Sequence, residues 1–277
     1  MNQPQITNHK SPLLVIVGET ASGKSVLALQ IAQELDGEII CADSRTVYKG
    51  MDIGTAKPSA QEQKKVRHHL LDVVKPNQPF TVVEFKKHAD AAIEDATTRG
   101  KLPILVGGSG LYIDAVIFDY AFTRSPQSRD AVNPRHASEG TAPSQRHLRK
   151  NTITIGISLS VETLQIRLQS RVASMVKMGL KEEVHKLSLE YGWDVEPMKS
   201  IGYGEWRAYF EGAQTLEEAQ EAVILNSQRL AKKQRTWFKR NSDIHWFDNQ
   251  TLAFEWAVNR LIPSINNGQA KTKSIIG

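Results

Sequence analysis

Eight residues raise the first chemical question. Gly18 to Ser25 reads GETASGKS, with Gly18 and Gly23 enclosing four residues before Lys24 and Ser25. This is the G-x-x-x-x-G-K-[ST] pattern, in which backbone amides converge on an anion, the lysine adds a point charge and the serine hydroxyl can reach Mg2+. An apolar run, Leu13 to Val17, comes before it and a helical pattern follows, so the helix dipole also favours an anion there. The expected ligand is a diphosphate or triphosphate held by Gly18, Thr20, Ala21, Ser22, Gly23, Lys24 and Ser25. The loop alone does not say whether that phosphate is spent, transferred or released.

The surrounding acids narrow the choice. Phosphoryl-transferring enzymes place an acid at the end of a neighbouring strand to hold Mg2+. Here the apolar run PILV, 103–106, leads into GGSG with no acid. The strand-end carboxylate is Asp43 in CADSRTVYKG, and Ser44, Arg45 and Tyr48 beside it read as substrate contacts. From the residues alone, Asp43 is either the metal-binding acid of a kinase or a group acting on a second substrate.

Two basic features stand further along the chain. Arg167 and Arg171 stand four apart on one predicted helix face, a spacing that by itself reads as an exposed pair. The stretch QRLAKKQRTWFKR carries Arg229, Lys232, Lys233, Arg235, Lys239 and Arg240. Spacings of three and four put Lys232, Arg235 and Lys239 on one helix face, with Leu230 and Trp237 directed elsewhere. Such a face is either solvated or applied to a polyanion. His68 and His69 point to opposite sides of a strand, which argues against a joint metal site.

The elements that must position these groups alternate strand and helix. Leu13 to Val17 and Glu38 to Ala42 read as buried strands, and Val26, Leu29, Ala32 and Leu35 recur at helical spacing between them. Thr81 and Glu84 form a capping-box pattern ahead of apolar Val82, Phe85, Ala89 and Ile93; Thr215 and Glu218 form another. Ser160 caps a helix from about Val161 to Gly179, and IHWF reads as a late strand. The fold class expected is α/β, a P-loop NTPase-like parallel sheet covered by helices, with a helical C-terminal third. The core spans 12–262, between a flexible N-terminal tail, 1–11, and a flexible C-terminal tail, 263–277. Thr123 to Asn151 is poor in apolar residues and rich in Pro, Ser and Arg, and reads as an exposed basic loop.

Composition agrees with a globular protein. The 277 residues are 40% hydrophobic and 23% charged, with a formal charge of +5 that favours polyanionic partners. No apolar run nears the ~18 residues of a membrane span, and the polar N-terminus lacks a secretory signal, so a cytoplasmic protein without membrane attachment is expected. The lone Cys41 excludes an internal disulfide framework and reads as a small core residue.

The sequence closely resembles the tRNA dimethylallyltransferases, which prenylate an adenosine next to the anticodon. The resemblance rests on GETASGKS (18–25), ADSRTVYKGMDIGTAKP (42–58), HHLLDVVKP (68–76), PILVGGSGLY (103–112), RLQSRVASMVKMGLKEEV (167–184), SIGYGEW (200–206) and QRLAKKQRTWFKR (228–240), in the family's order. It implies that the loop grips the diphosphate of dimethylallyl diphosphate as a leaving group, with no ATP consumed. It further implies Asp43 as the base for adenine N6, Arg171 steadying the diphosphate, and Ser109 as a hydroxyl at the reacting groups where the family commonly has Thr. Mg2+ on Ser25 completes the cradle. The tRNA anticodon stem-loop would meet Asp43, Ser44, Arg45, Thr46, Arg229, Lys232, Lys233, Gln234 and Arg235. The family suggests a monomer.

Several positions depart from the family. Members usually carry a helical insertion after the GGTGLY position, where this chain has only the 123–151 loop; QRHLRK (145–150) is a reduced basic substitute. Glu19 stands where Pro is usual and is expected to point outward, away from the anion. Thr46 stands where Gln is usual. No zinc-finger spacing is present. Prenylation of free adenine nucleotide is the alternative activity, with a small-molecule kinase behind it.

Overall fold

The computed structural model describes residues 12–122 and 148–273. The expected N-terminal tail and most of the 123–151 loop lie outside the described residues. In chain order the first half contains β1 (Leu13–Gly18), α1 (Lys24–Glu34), β2 (Gly37–Ala42), α2 (Ala60–Lys65), β3 (His68–His69), α3 (Val82–Thr98), β4 (Leu102–Gly107) and α4 (Gly110–Ile117). The second half contains β5 (Thr152–Ile157), α5 (Val161–Lys177), α6 (Leu180–Tyr191), α7 (Arg207–Phe210), α8 (Leu216–Phe238), β6 (Ile244–Phe247) and α9 (Gln250–Lys273).

The six strands form one parallel sheet in the order β3-β2-β4-β1-β5-β6. β1 lies between β4 and β5, so the chain reverses its direction of travel at β1, and the carboxyl end of that strand opens a crevice. Every residue of β1, β2 and β4 is buried, which is why these runs are almost wholly apolar rather than alternating, the exception being Glu38 of β2, which pairs with His69 and Arg99. Leu13, Val15 and Val17 face the cluster with α3, α4 and Phe238 of α8. Leu14 and Ile16 face α1 and Ala253, Ala257 and Leu261 of α9. Each such large side chain contributes about 1.5–3 kcal/mol on burial.

Both expected capping boxes form, at Thr81 with Glu84 and at Thr215 with Glu218, and Ser160 accepts the Thr163 N–H. A third box, Ser59 with Glu62, starts α2, which the apolar pattern did not mark because none of its residues is buried. In α1 the helix is where it was expected but the face is rotated. Leu27, Ala28, Ile31 and Ala32 are buried, whereas Val26 is 50% exposed. The C-terminal boundary also differs: α9 continues through Pro263 to Lys273.

A third cluster, around Val47, Tyr48, Met51, Met198, Tyr203 and Trp206, joins the helical third to the loop after β2. One side chain organises it. The Glu183 carboxylate on α6 accepts the backbone N–H groups of Asp52, Ile53 and Gly54 and the Tyr203 hydroxyl. A Cβ on Gly54 would lie 2.6 Å from the Tyr203 ring, so only glycine fits. Lys57 completes the loop by donating to the Tyr48 carbonyl and to Asp52 and Asp72. The MDIGTAKP segment is thus a fixed wall.

Candidate active site

The phosphate loop is gripped from behind. Arg167 of α5 donates to the Ser22 carbonyl at 3.1 Å, and Gln250 of α9 lies 3.4 Å from the same oxygen. Gly23 has φ 93°, and a Cβ there would lie 1.7 Å from Gln250 Nε2. The glycine is therefore required twice, by backbone conformation and by close approach. A Cβ on Gly18 would meet the Ile157 carbonyl at 2.6 Å. Thr20, Lys24 and Ser25 line the cleft in front of the loop.

Two cations meet in that cleft. Burial first, and then Arg171, lower Lys24 to about 8, against the opposing pull of Asp43 and Glu19. Burial likewise lowers Arg171, with Asp43 opposing. Lys24 Nζ donates only to the Glu19 carbonyl at 3.2 Å, and neither cation has an ion pair among the described residues. Two partly desolvated cations side by side are unfavourable unless an anion joins them, so the arrangement can take a multiply charged oxyanion. Arg171 is therefore part of the cleft, whereas its helix neighbour Arg167 braces the loop.

Across the cleft stands Asp43, one residue past β2. Its Oδ1 accepts the Arg45 N–H at 2.8 Å, which fixes the carboxylate while leaving Oδ2 without a hydrogen bond among the described residues. Ser109 Oγ accepts the Ser44 N–H at 3.1 Å, so its own O–H remains a donor beside Asp43. Thr46 is buried on the cleft wall, and its hydroxyl has no partner among the described residues. Arg45 reaches Glu196 at 3.5 Å, a partly exposed pair. Tyr48 was read as a substrate contact, but it is buried in the third cluster.

Ile39, Cys41, Val106, Pro58 and Leu230 give the cleft an apolar side. Cys41 is buried as expected, and burial pushes its thiol up to about 12, so it sits there as a neutral group. The sequence reading missed Thr55, Pro58, His68 and Leu230 as wall residues. Leu230 in particular had been directed elsewhere, and nothing in helix spacing alone says which neighbour it meets.

The basic helix divides in two. Arg229, Lys232 and Lys233 are exposed. Gln234 and Arg235, grouped with them as tRNA contacts, instead turn into the phosphate loop. Gln234 Oε1 accepts the Thr20 N–H, and Arg235 binds Glu19 and the Leu159 carbonyl. The shared face of Lys232, Arg235 and Lys239 is accordingly not a free basic stripe. Glu19 does not point outward either: it is 1% exposed, takes the Leu159 N–H and faces Arg235. Trp237 packs on Gly110 and donates to Asp114. Arg149 of the expected reduced basic substitute pairs with Asp90 and is largely covered.

Away from the cleft, Glu38, His69 and Asp95 come close enough to suggest a metal cluster. Arg99 already occupies that role, since its guanidinium binds both Glu38 and Asp95. Arg99 first, with help from His69, holds the Glu38 carboxyl at about 2. His68 turns the other way and bonds the Val66 carbonyl, as opposite strand faces require.

This geometry has counterparts. The sequence model described as IPP transferase matches residues 46–150 and 132–241. The chain belongs to the IPP transferase family. Among curated IPP transferase relatives, the tRNA dimethylallyltransferase of Anoxybacillus flavithermus is 37% identical, the match covering 90% of this chain and 94% of that protein. The tRNA dimethylallyltransferase of Bacillus subtilis is 35% identical over 88% and 92%. The crystal structure of the full-length tRNA isopentenylpyrophosphate transferase of Bacillus halodurans superposes with a TM-score of 0.80 at 31% identity, covering 95% of this chain and 99% of that one. The parallel α/β sheet seen here is the fold of that IPP transferase structure. No helix among the described residues is long and apolar enough to cross a membrane.

Proposed function

We propose that this chain transfers the dimethylallyl group of dimethylallyl diphosphate to N6 of the adenosine next to the tRNA anticodon, forming N6-isopentenyladenosine and releasing diphosphate. One observation carries the reading. Lys24 and Arg171 share a cleft without an anionic partner among the described residues, opposite a carboxylate with a free oxygen. The first half suits a departing diphosphate, and the second suits an amine that must lose a proton.

In this scheme the loop amides, Lys24 and Arg171 hold the diphosphate and stabilise the charge that grows on it as the allylic carbon–oxygen bond breaks. The N6 nitrogen attacks that carbon, and Asp43 takes the N6 proton. Ser109 donates its hydroxyl to the reacting groups. The apolar wall of Ile39, Cys41, Val106 and Leu230 suits a prenyl tail and excludes water. The target base leaves its stack to reach the cleft, as enzymes acting on bases require. Arg229, Lys232 and Lys233 supply exposed charge for the tRNA backbone.

The residues also fit Mg2+, which binds through one or two protein oxygens, substrate phosphates and water. The Ser25 hydroxyl, exposed on the cleft beside Lys24, would hold it together with the diphosphate oxygens and water. When bound, the ion offsets charge on the diphosphate. We further propose a monomer acting in the cytoplasm, where the tRNA acceptor is found.

The test offers the purified protein labelled dimethylallyl diphosphate with either tRNA or AMP. Label is expected in tRNA. Label in AMP alone would reassign the acceptor to a free nucleotide, and ATP turnover without prenyl transfer would make the protein a kinase.

A further inference from the structure

Gln234 lies between two backbone groups of opposite polarity. Its Oε1 accepts the Thr20 N–H at 2.8 Å, and its Nε2 donates to the Gly108 carbonyl at 3.1 Å. Thr20 belongs to the phosphate loop. Gly108 precedes Ser109, whose hydroxyl accepts the Ser44 N–H next to Asp43. Because both partners are backbone groups, their polarity fixes the orientation of the amide. A carboxylate in its place could not donate, and an ammonium could not accept.

The glycine opposite supports the same role. A Cβ on Gly108 would lie 2.3 Å from Gln234 Nε2, while the nearest other residue, Gly18, offers only a carbonyl at 3.5 Å. The absent side chain is therefore matched to this amide. Exposed Lys232 and Lys233, next along α8, have no such engagement with the cleft.

Building on the transfer reaction above, we propose that Gln234 is a positioning residue that sets the spacing between the diphosphate-holding loop and the Asp43–Ser109 side of the cleft. In-line attack needs the allylic carbon and N6 held at near-contact distance. A displacement of about 1 Å there costs about 100-fold in rate.

The experiment uses the full chain with tRNA and labelled dimethylallyl diphosphate. It measures the single-turnover rate at saturating substrates, the tRNA Kd and the urea midpoint. Gln234→Leu keeps the bulk and removes both hydrogen bonds; its rate should fall about 100-fold with an unchanged tRNA Kd. Gln234→Glu, which can accept but not donate, should also be slow. Weakened tRNA binding at an unchanged rate would make Gln234 a tRNA contact and overturn the proposal, as would an unchanged rate with unchanged binding.

Should Gln234→Leu not fold, Gly108→Ala displaces the amide without deleting it and is expected to slow transfer. Adding Gly108→Ala to Gln234→Ala should then cost little more than Gln234→Ala alone, since the clash partner is gone; fully additive losses would overturn the proposal. A wild-type protein that prenylates no tRNA would overturn the assigned reaction itself, an outcome separate from every result above.

Discussion

Arg235 Nη2 lies 2.6 Å from Glu19 Oε1, joining the basic helix to the second residue of the phosphate loop. The pair removes a paradox in the sequence, a carboxylate beside an anion site. The Arg235 guanidinium offsets its charge locally, while its backbone carbonyl accepts from Lys24. The loop is thus held from the α8 side as well as from α5 and α9.

Breaking that pair should cost stability. Glu19→Ala leaves Arg235 facing an empty space and should lose about 2–4 kcal/mol, read from urea unfolding. Arg235→Ala leaves a buried carboxylate and should cost at least as much. The double variant should lose less than the sum of the two. Additive losses would mean that the two residues do not interact.

The Lys24 ammonium carries a pH prediction. Burial and Arg171 lower it to about 8, so the free protein gives up this charge as pH rises through that value. Diphosphate affinity should therefore decline as pH rises above about 8. Between about 8 and the ordinary lysine value of 10.5, the unfolded chain binds the proton more than the folded one does. This group's contribution to stability accordingly improves with rising pH across that window. Lys24→Met should bind diphosphate weakly with no inflection near 8; a titration with the inflection intact would assign it to another group.

For tRNA, the structure moves the test away from Arg235. Lys232→Ala with Lys233→Ala should weaken tRNA binding and reduce the salt slope by about 2, one for each lost phosphate contact. Both side chains are exposed, so the urea midpoint should not move. An unchanged salt slope would make this a merely solvated face.

Asp43→Asn keeps the shape of the side chain and its acceptor oxygen for Arg45 but removes the base. Transfer should fall about 100-fold to 10,000-fold, while diphosphate binding to Lys24 and Arg171 persists. The comparison of transfer rate with diphosphate Kd reads this directly. Retained transfer would remove Asp43 from the proton path.

Much of this was legible in one dimension, and the reasons are local. The phosphate loop, its flanking strand and helix, and the capping boxes at Thr81 and Thr215 each depend on neighbours within a few residues. Helix burial was read correctly for α3, where Val82, Phe85, Ala89 and Ile93 are all buried. It was rotated for α1, whose mixed composition puts apolar residues on more than one face. There α9 and the sheet, not periodicity, select Leu27 and Ile31 for burial.

The sequence by itself determined that a glycine-rich loop ending in Lys24 and Ser25 would follow β1, that a carboxylate would stand at the end of β2, and that a parallel sheet would support both. Backbone amides and short spacings carry that information without reference to the rest of the chain. Only the tertiary structure decided which cations line the cleft or stay exposed and which brace the loop, separating Arg171 from Arg167 and Lys232 from Arg235. Charge type and helical spacing are the same within each pair. What differs is the desolvated partner that folding brings from 145 to 216 positions away, and a side chain's role follows the lowest-energy partner within its reach.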